Sequence, residues 1–306
     1  MIDSIAAPAA APAAAQGAAK VKLIGASKRY VSGFGKDGKH FYAVKDINLE
    51  VADGEFVCIV GPTGCGKSTL LNMIAGFEKP DEGQVLFEGQ PVQAAGPDRL
   101  VIFQEHGLFP WLTVQQNVEF GLRVLGLSKK ERRDRAMHYL KMVHLQKFRR
   151  SYPFQLSGGM KQRTAIARAL AVEPRMLLMD EPFGALDPRT RDRLHLELQS
   201  LWIETKKTIF FITHSVEEAV RLSDRIIIMG SQPGTIRKIF KVTQSHPRDF
   251  LDPVLNELRA TILQEFEDEW NRLLNTKESD DDVSVEKTSV RGRARGRVDL
   301  DMGDGI

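Results

Sequence analysis

The feature that most constrains this chain is the nine-residue stretch Gly61–Thr69, which reads Gly-Pro-Thr-Gly-Cys-Gly-Lys-Ser-Thr. Five apolar residues, Phe56–Val60, precede it, and apolar residues at a helical spacing follow it from Leu70. This order predicts a strand, a glycine loop and a helix, which is the context in which such a stretch binds a polyphosphate. An ordinary strand-to-helix turn would leave the lysine and the two hydroxyl side chains unexplained.

Each residue type in this loop has a chemical reason. Glycines allow successive backbone N–H groups to turn inward around an anion, and the following helix directs its N-terminal dipole at the same charge. Lys67 supplies a mobile positive charge for the β- and γ-phosphates, Ser68 a hydroxyl for Mg²⁺ and Thr69 a bond to a phosphate oxygen. The predicted cofactor-binding residues of the loop are Gly61, Pro62, Thr63, Gly64, Cys65, Gly66, Lys67, Ser68 and Thr69.

Composition limits the remaining possibilities. The chain has 306 residues, of which 42% are apolar and 27% charged, enough for one good-sized core domain with a small subdomain. A formal net charge of +3 argues against a strongly basic nucleic-acid face, and no apolar run approaches the length that spans a membrane. The two cysteines, Cys58 and Cys65, suggest no disulfide and hence a reducing compartment. We expect Cys58 to be buried, and Cys65, in the loop itself, is a candidate reactive thiol.

A second apolar strand, Met176–Met179, ends in two adjacent acids, Asp180 and Glu181. Such a pair at the end of a buried strand is costly unless it faces a metal or a positive charge. We therefore predict that Asp180 holds Mg²⁺ through its hydration shell and that Glu181 faces the water that attacks the γ-phosphate. The alternative is an acid pair that caps the next helix.

Two further apolar strands end in polar residues. Gln104 follows Leu100–Phe103, and His214 follows Thr208–Thr213. The carboxyl ends of strands in an α/β sheet face the ligand, so Gln104 is a candidate site residue and His214 a candidate donor to a γ-phosphate oxygen. Taken alone, a solvated loop glutamine and a structural histidine are the alternatives.

The region from His106 to about Ala171 has a helical pattern, with Thr113 and Ser128 as N-caps. A third helix follows Ser157, which can cap it, and the glycines at 158 and 159 expose backbone N–H groups there. This is a second predicted anion site. Because the chain already has one site for its nucleotide, the second requires a different phosphate or the phosphate of a second molecule.

An aromatic residue ends the first predicted strand, Val21–Ala26 and its continuation to Tyr30. Tyr30 could stack on a nucleotide base, or it could simply pack against its neighbours. Phe41 and Tyr42, at the start of the next strand, are rival candidates for the stacking role.

In this order, the motifs resemble the nucleotide-binding subunit of an ABC transporter. The resemblance covers about residues 21–240, and its most specific part is Leu-Ser-Gly-Gly-Met-Lys-Gln at 156–162, which other P-loop families lack. The stretch Phe103–Val114 narrows it to the ATPases of bacterial nitrate, sulfonate, taurine and bicarbonate importers. The resemblance implies an α/β fold: a P-loop NTPase (RecA-like) core with a parallel sheet, an N-terminal antiparallel β part and an inserted α-helical subdomain.

The resemblance also assigns roles to residues. It implies a head-to-tail dimer in which the signature loop of one subunit closes on ATP held by the phosphate loop of the other. Glu181 is then the general base or water-orienting group, His214 grips the γ-phosphate, and Tyr30 matches the adenine-stacking aromatic. Gln104 senses Mg²⁺ and the water, and Asp187 supports the partner's site. The residues implied to contact the second nucleotide are Ser157, Gly158, Gly159 and Gln162, and those implied at the metal are Ser68, Gln104 and Asp180.

The implied partners are a second ATPase subunit, most simply a second copy of this chain, and a transmembrane permease. A periplasmic or lipid-anchored solute-binding protein acts indirectly, and no nucleic acid is expected. The permease is expected to dock on a groove that includes the segment after Gln104, where Trp111 is either a contact or a core residue of the helical subdomain. The implied location is the cytoplasmic face of the inner (plasma) membrane, as a peripheral subunit. An exporter ATPase, or a soluble ABC ATPase that acts on nucleic acid, are the alternatives.

The predicted division of the chain has four parts. They are a flexible alanine-rich tail (1–20), the ABC ATPase domain (21–245, with the helical subdomain at about 106–171), a C-terminal helical extension (246–275) and a disordered charged tail (276–306). The extension shows apolar residues at a helical spacing, among them Leu251, Val254, Leu255 and Trp270. For the charged tail, an electrostatic contact with lipid or nucleic acid is the alternative to disorder.

Overall fold

The computed structural model of the protein describes residues 4–6, 19–32, 39–231, 233–248 and 252–268. The chain divides into one unit that ends at Phe266 and a second that begins at Glu267. The architecture below belongs to the first unit, except for residues 267 and 268 at the end of the last helix. The predicted charged tail lies outside the described residues.

A seven-stranded sheet forms the centre of the first unit. In spatial order its strands are β1 (Ser4–Ala6), β11 (Thr235–Lys241), β10 (Arg225–Gly230), β4 (Phe56–Val60), β9 (Thr208–Thr213), β8 (Met176–Asp180) and β7 (Arg99–Ile102). The five strands from β10 to β7 are parallel, and β11 and β1 are added antiparallel. β4 and β9 are buried along their whole length, since helices and a second sheet cover both faces, and this explains their unbroken apolar runs.

The second sheet is antiparallel and lies early in the chain. Its strands, in spatial order, are β3 (Lys39–Ala52), β2 (Ala19–Ser32), β5 (Glu82–Phe87) and β6 (Gln90–Pro91). β2 is longer at both ends than the strand predicted from Val21, because it pairs with β3 along nearly its whole length. β5 and β6 form a hairpin, whose turn has positive φ at Glu88 and Gly89.

Helices cover the parallel sheet and form the insertion. They are α1 (Lys67–Ala75), α2 (Val114–Val124), α3 (Lys129–Met142), α4 (Gly158–Ala171), α5 (Pro188–Thr205), α6 (Val216–Leu222) and α7 (residues 253–268). The predicted N-caps are confirmed, since Thr113 and Ser128 each form a capping box with the residue three positions on. α2, α3 and α4 come between β7 and β8 in the chain, and they pack on one another. The predicted fold class is confirmed, with both sheets and the inserted helices in place.

The central strand β4 shows how the core is divided. Phe56, Cys58 and Val60 face a cluster built mainly from the α2–α7 helices, whereas Val57 and Ile59 face α1 and the antiparallel sheet. This alternation follows from the period of two in a strand. The predicted burial of Cys58 is confirmed.

The two ends of the described chain differ from the simplest expectation. Within the predicted alanine-rich tail, Ser4–Ala6 pair with β11, and residues 7–18 lie outside the described residues. In α7, Leu255 is buried in the predicted stripe together with Leu258 and Ile262, but Val254 is exposed because it lies beside that stripe rather than on it. The predicted stripe residues Leu251 and Trp270 lie outside the described residues. No helix in the described part of the chain is long and apolar enough to cross a membrane.

Candidate active site

The predicted site residues gather at one edge of the parallel sheet. β4, β8, β9 and β7 all end at this edge. Gly61 follows β4, His214 follows β9, and Gln104 comes two residues after β7. Asp180 is the last residue of β8, and Glu181 follows it. Neighbouring parallel strands in matched register place their carboxyl ends side by side. The topology therefore assembles in space what the sequence separates by more than a hundred positions.

The phosphate loop requires glycine for two separate reasons. A Cβ on Gly61 would lie 2.6 Å from the Cys65 sulfur and 2.8 Å from the Met229 carbonyl oxygen. Gly66 has φ +92°, and its Cβ would lie 2.5 Å from a methyl group of Val44. Neither position accepts a side chain, because the loop is packed tightly against β3 and the end of β10.

Lys67 is the first residue of α1 and is buried. Its ammonium donates hydrogen bonds to the carbonyl oxygens of Gly61 (2.8 Å) and Pro62 (3.0 Å). The positive charge is therefore held inside the curve of the loop, at the place where the loop N–H groups would surround a phosphate.

The prediction that Cys65 is a reactive thiol is wrong. Its side chain is fully buried, and Gly234 lies directly against its backbone, so that a Cβ on Gly234 would be 2.2 Å from the Cys65 carbonyl oxygen. Reactive cysteines sit in partly exposed, electropositive surroundings, and Cys65 lacks the exposure. The sequence gives no indication of this burial, since the covering residue is more than 160 positions away.

Asp180 lies beside the start of α1, where the Ser68 hydroxyl hydrogen-bonds its carboxyl group. Burial raises the pKa of Asp180 and Glu181 adds to this, while the Ser68 bond and the Lys67 charge oppose it. One hydroxyl and one carboxylate suit Mg²⁺, which is bound through one or two carboxylates together with phosphate oxygens and water. In the described part of the chain no three His, Cys, Asp or Glu side chains could hold a metal ion by themselves.

Glu181 and His214 are in direct contact. Nδ1 of His214 lies 3.3 Å from Oε2 of Glu181, and the Glu181 N–H donates to the Ile212 carbonyl oxygen of β9 (3.0 Å). Glu181 has φ +44°, a left-handed conformation that is strained for a residue with a side chain. The Gln104 amide borders the same place, since a Cβ on Gly184 would lie 3.5 Å from it and 3.8 Å from Oε2 of Glu181.

The second predicted anion site lies at the start of α4. The Ser157 hydroxyl accepts the Met160 N–H (3.4 Å), and Ser157 and Gly158 are exposed. Gly159 is buried against Thr190, and a Cβ there would lie 2.5 Å from the Thr190 methyl group. Gln162 is fully buried and its side-chain amide has no hydrogen-bond partner among the described residues, which is at odds with the direct nucleotide contact implied for it.

Asp187 begins α5 as its N-cap. Its carboxylate accepts the Thr190 N–H (3.0 Å), and the hydrogen bonds from Thr190 lower the pKa of Asp187. Its neighbour Leu186 lies against Gly158, where a Cβ would be 3.1 Å from the leucine side chain. The turn around Asp187 and the start of α4 are therefore packed together.

Tyr30 lies beside the phosphate-loop helix. Its hydroxyl donates to Glu78, which also accepts a hydrogen bond from Asn72 of α1 (3.1 Å). Burial and the bond to Glu78 raise the pKa of Tyr30, and the Thr69 side chain forms an opposing hydrogen bond with it. Of the aromatic candidates, Tyr30 is thus in contact with the loop helix. The Phe41 ring lies next to the Tyr30 ring, and the centroids of these two rings are 6.2 Å apart.

Sequence reasoning missed two residues that hold the segment after Gln104. His106 donates through Nε2 to the Gly158 carbonyl oxygen (3.0 Å), which links this segment to the start of α4. Arg168, almost three turns further along α4, donates to the carbonyl oxygens of Gly107 (2.6 Å) and His106 (3.1 Å). These contacts join positions more than fifty residues apart, and no local sequence pattern indicates them.

An open cavity of about 740 Å³ lies beside this segment, lined in part by Gln104, His106, Phe154, Lys161 and Leu186. Phe154 is 76% exposed and Trp111, nearby in the same segment, is 70% exposed. The exposure of Trp111 excludes a core role and leaves the predicted contact role.

Comparison with known proteins gives consistent results. A family model described as ABC transporter matches residues 44–184. The chain is 50% identical over 233 residues to an uncharacterised ABC transporter ATP-binding protein of Methanocaldococcus jannaschii, covering 76% of this chain and 87% of that protein. It is 47% identical over 246 residues to the nitrate import ATP-binding protein NrtD of Synechocystis (79% and 92% covered). It is 42% identical over 234 residues to the aliphatic sulfonates import ATP-binding protein SsuB of Bacillus thuringiensis (76% and 92% covered).

A solved structure resembles the fold as well. It is the dimeric ATP-binding cassette MJ0796 in a post-hydrolysis state bound to ADP and Pi. The TM-score is 0.64 at 38% sequence identity, and the match covers 74% of this chain and all of that one.

Proposed function

This chain belongs to the ATP-binding proteins of ABC transporters, and on that basis we propose that it is the energy-coupling ATPase of an importer for a small anion. The observation that carries the proposal is the contact between Glu181 and His214 beside a complete phosphate loop, in a chain similar to nitrate and sulfonate import proteins. Nitrate, aliphatic sulfonates with taurine, and bicarbonate are the candidate solutes. This similarity favours import over the exporter and nucleic-acid alternatives.

ATP is bound first at the phosphate loop. The loop N–H groups and the start of α1 surround the β- and γ-phosphates, and Lys67 exchanges its bonds to Gly61 and Pro62 for phosphate oxygens. Tyr30 stacks on the adenine, held by its hydrogen bond to Glu78.

Ser68, Asp180 and Gln104 are the residues that would hold Mg²⁺. The ion supplies neutralisation of the phosphate charge that develops during transfer. Asp180 contributes a carboxylate that is already hydrogen-bonded to the Ser68 hydroxyl, so that both oxygen donors lie at one place. These oxygen donors, at the start of α1 and the end of β8, support the proposed metal site.

Hydrolysis then depends on Glu181 and His214. Glu181 orients a water molecule and accepts its proton as the oxygen attacks the γ-phosphorus, and the bond from this phosphorus to the bridging oxygen of ADP breaks. His214, 60% exposed at its side chain and directed at Glu181, donates to a γ-phosphate oxygen. Phosphoryl transfer needs little covalent chemistry from the protein, so that these positions and charges supply most of the effect.

A second subunit completes the site. Ser157 and Gly158 are exposed at the start of α4, with Gly159 buried behind them. No nucleotide of the same subunit explains the N–H groups of this turn, and a γ-phosphate bound to a second copy suits them. The similarity to a dimeric cassette bound to ADP and Pi supports this assignment. Asp187, packed next to this loop, supports the partner's site across the interface. ATP binding closes the dimer, and hydrolysis reopens it.

The movement passes to a transmembrane permease. The cavity beside the segment after Gln104, with exposed Trp111 and Phe154 at its side, has the apolar surface that a helix of a permease would cover. The protein is therefore a peripheral subunit at the cytoplasmic face of the membrane, and a solute-binding protein acts on the permease from the other side.

The test is uptake of labelled nitrate, taurine and an alkanesulfonate by cells that lack this chain, complemented with wild type or with Glu181→Gln. We expect one solute to be restored by wild type and not by the variant. If the deletion leaves the uptake of all three unaffected, the assignment to anion import is wrong, although the ATPase assignment stands.

A further inference from the structure

One buried carboxylate, Glu218 of α6, lies behind the candidate active site without touching the nucleotide-binding surface. Its Oε1 is 3.1 Å from Nε2 of His195 on α5, and its Oε2 accepts a hydrogen bond from the Thr213 hydroxyl at the end of β9. The side chains of His195 and Glu218 are 4% and 6% exposed. Removing two ionisable side chains from water costs free energy, and only their mutual hydrogen bond and their bonds to neighbours offset this cost. Such a pair therefore points to a role other than simple stabilisation of the core.

Glu218 fixes both neighbours of His214. Thr213, which donates to its carboxylate, also accepts the Ser215 N–H through its hydroxyl oxygen (3.0 Å). Ser215 in turn accepts the Glu218 N–H (3.2 Å). A closed ring of hydrogen bonds therefore holds the backbone on either side of His214.

His195 connects this ring to the strand end that carries Glu181. Its imidazole packs edge-on against Phe183, with ring centroids 5.3 Å apart, and Phe183 is fully buried two residues after Glu181. A shift of His195 would thus move the residues that follow β8 together with those that follow β9.

Arg191 adds the turn around Asp187 to the same network. Its guanidinium donates to the Leu186 carbonyl oxygen (2.9 Å) and lies 3.9 Å from Oε1 of Glu218. Three loops are therefore connected to one carboxylate, one of them directly and the other two through His195 and Arg191. Each loop carries a residue assigned above to hydrolysis or to the partner's site.

The hydrogen-bond partners also assign the His195 proton. Arg221 lies 3.5 Å from Nδ1 and can only donate, so Nδ1 is the acceptor. Nε2 then carries the hydrogen that is donated to Glu218. A neutral imidazole satisfies both contacts, and a glutamine side chain could reproduce the donor to Glu218.

We propose that the His195–Glu218 pair is a positioning element for hydrolysis, which fixes the loops of Glu181 and His214 relative to each other. This inference rests on the roles proposed above for Glu181 and His214. Loss of the pair leaves the phosphate loop untouched, since none of its contacts involve α1. A displacement of about 1 Å in catalytic groups is enough to lower turnover by roughly 100-fold.

The test compares His195→Leu with His195→Gln in the full chain. For His195→Leu we expect kcat to fall by roughly 10- to 100-fold with less than about a twofold change in the KM for ATP and in ATP affinity. His195→Gln, which keeps a donor to Glu218, is expected to recover most of the lost kcat. The matched control is His246→Leu, which removes another buried histidine whose Nε2 bonds to the Leu222 carbonyl oxygen.

The outcomes separate the possibilities. A lower thermal midpoint with unchanged kcat for His246→Leu, alongside the expected His195 results, supports the positioning role. Wild-type kcat in His195→Leu, equal loss in the leucine and glutamine variants, or a parallel loss of ATP affinity would each overturn it. If wild type itself does not hydrolyse ATP, the proposed function fails instead, and that result is distinct.

Discussion

At the scale of single residues, the carboxyl edge of the parallel sheet carries features that cost stability. Glu181 holds a left-handed backbone conformation, Lys67 is a buried ammonium, and Asp180 is a half-buried carboxyl group whose pKa is raised by burial. Such features persist only where the surrounding structure enforces them, and they concentrate at functional sites. Here the enforcing contacts come from β9, the Ser68 hydroxyl and the loop carbonyl oxygens.

The first prediction concerns Asp180, whose pKa is raised mainly by burial. Since the folded pKa lies above the unfolded value of 3.8, ionisation costs stability: the favourable contribution is present below that value and is lost as the pH rises through the folded pKa. We therefore expect Asp180→Asn to raise the Tm of the nucleotide-free protein at neutral pH, and to abolish Mg²⁺-dependent ATP hydrolysis.

Thermal unfolding without nucleotide, followed by an ATPase assay, checks this prediction. The matched control is Asp134→Asn, an exposed acid on α3, which should change neither quantity. A Tm below that of wild type for Asp180→Asn would mean that its ionised carboxylate stabilises the fold.

The second prediction concerns Lys67. Removing its ammonium in Lys67→Ala eliminates the charge-assisted bonds to the β- and γ-phosphates, and we expect the Kd for ATP to rise by roughly 10- to 100-fold. Equilibrium binding of a fluorescent ATP analogue measures this directly. The control is Lys130→Ala, an exposed lysine on α3. Wild-type affinity in Lys67→Ala would remove the basis for the phosphate site.

At the scale of elements, α4 follows the signature loop and also contacts the segment after Gln104. Through Arg168 it binds the backbone of the segment after Gln104, and through Gly158 it receives the His106 imidazole. One helix is thus joined at two points to the segment that connects the sheet to the proposed permease surface. A rotation of α4 would carry this segment with it.

The third prediction tests that connection. Arg168→Leu removes two charged hydrogen bonds to carbonyl oxygens, and we expect the free energy of unfolding to fall by about 1.5–3 kcal/mol. Urea unfolding measures the change. The control is Arg135→Leu on α3, whose ion pair with Glu173 is half exposed, and it should cost less than about 0.5 kcal/mol. Equal effects of the two variants would show that the segment is held by other contacts.

The elements themselves were largely predictable. Local signals mark their ends, such as the Thr113 and Ser128 capping boxes, and the apolar runs of β4, β8 and β9 identify buried strands. The exposed position of Val254 was not predictable, because neighbouring positions on an amphipathic helix differ only by where the partner surface lies. The extension of β2 depends on pairing with β3, which is a tertiary effect.

At the scale of the whole molecule, the meeting of the candidate site residues at one edge of the sheet could be predicted, but not all of their surroundings. Glu181, His214 and Asp180 were identifiable because each follows an apolar strand, and parallel pairing brings such ends together. The burial of Cys65, the network around Glu218 and the burial of Gln162 depend on contacts between distant segments. No single-sequence pattern contains that information.

The proposed function requires two copies of the chain for hydrolysis, because it assigns the start of α4 and the phosphate loop to different nucleotides. Glu181→Gln should keep ATP binding, lose turnover by at least roughly 100-fold and accumulate the closed dimer, since removing the base blocks the step that reopens it. Glu204→Gln, at the far end of α5, is the matched control and should turn over ATP like wild type.

The measurement that tests this most directly is light scattering of purified Glu181→Gln with and without Mg²⁺ and ATP. We predict a change from the monomer mass of 34.3 kDa to twice that value when both are present, and reversal when ATP is removed. A variant that binds ATP and keeps the monomer mass, or that hydrolyses ATP at the wild-type rate, would contradict the two-subunit site.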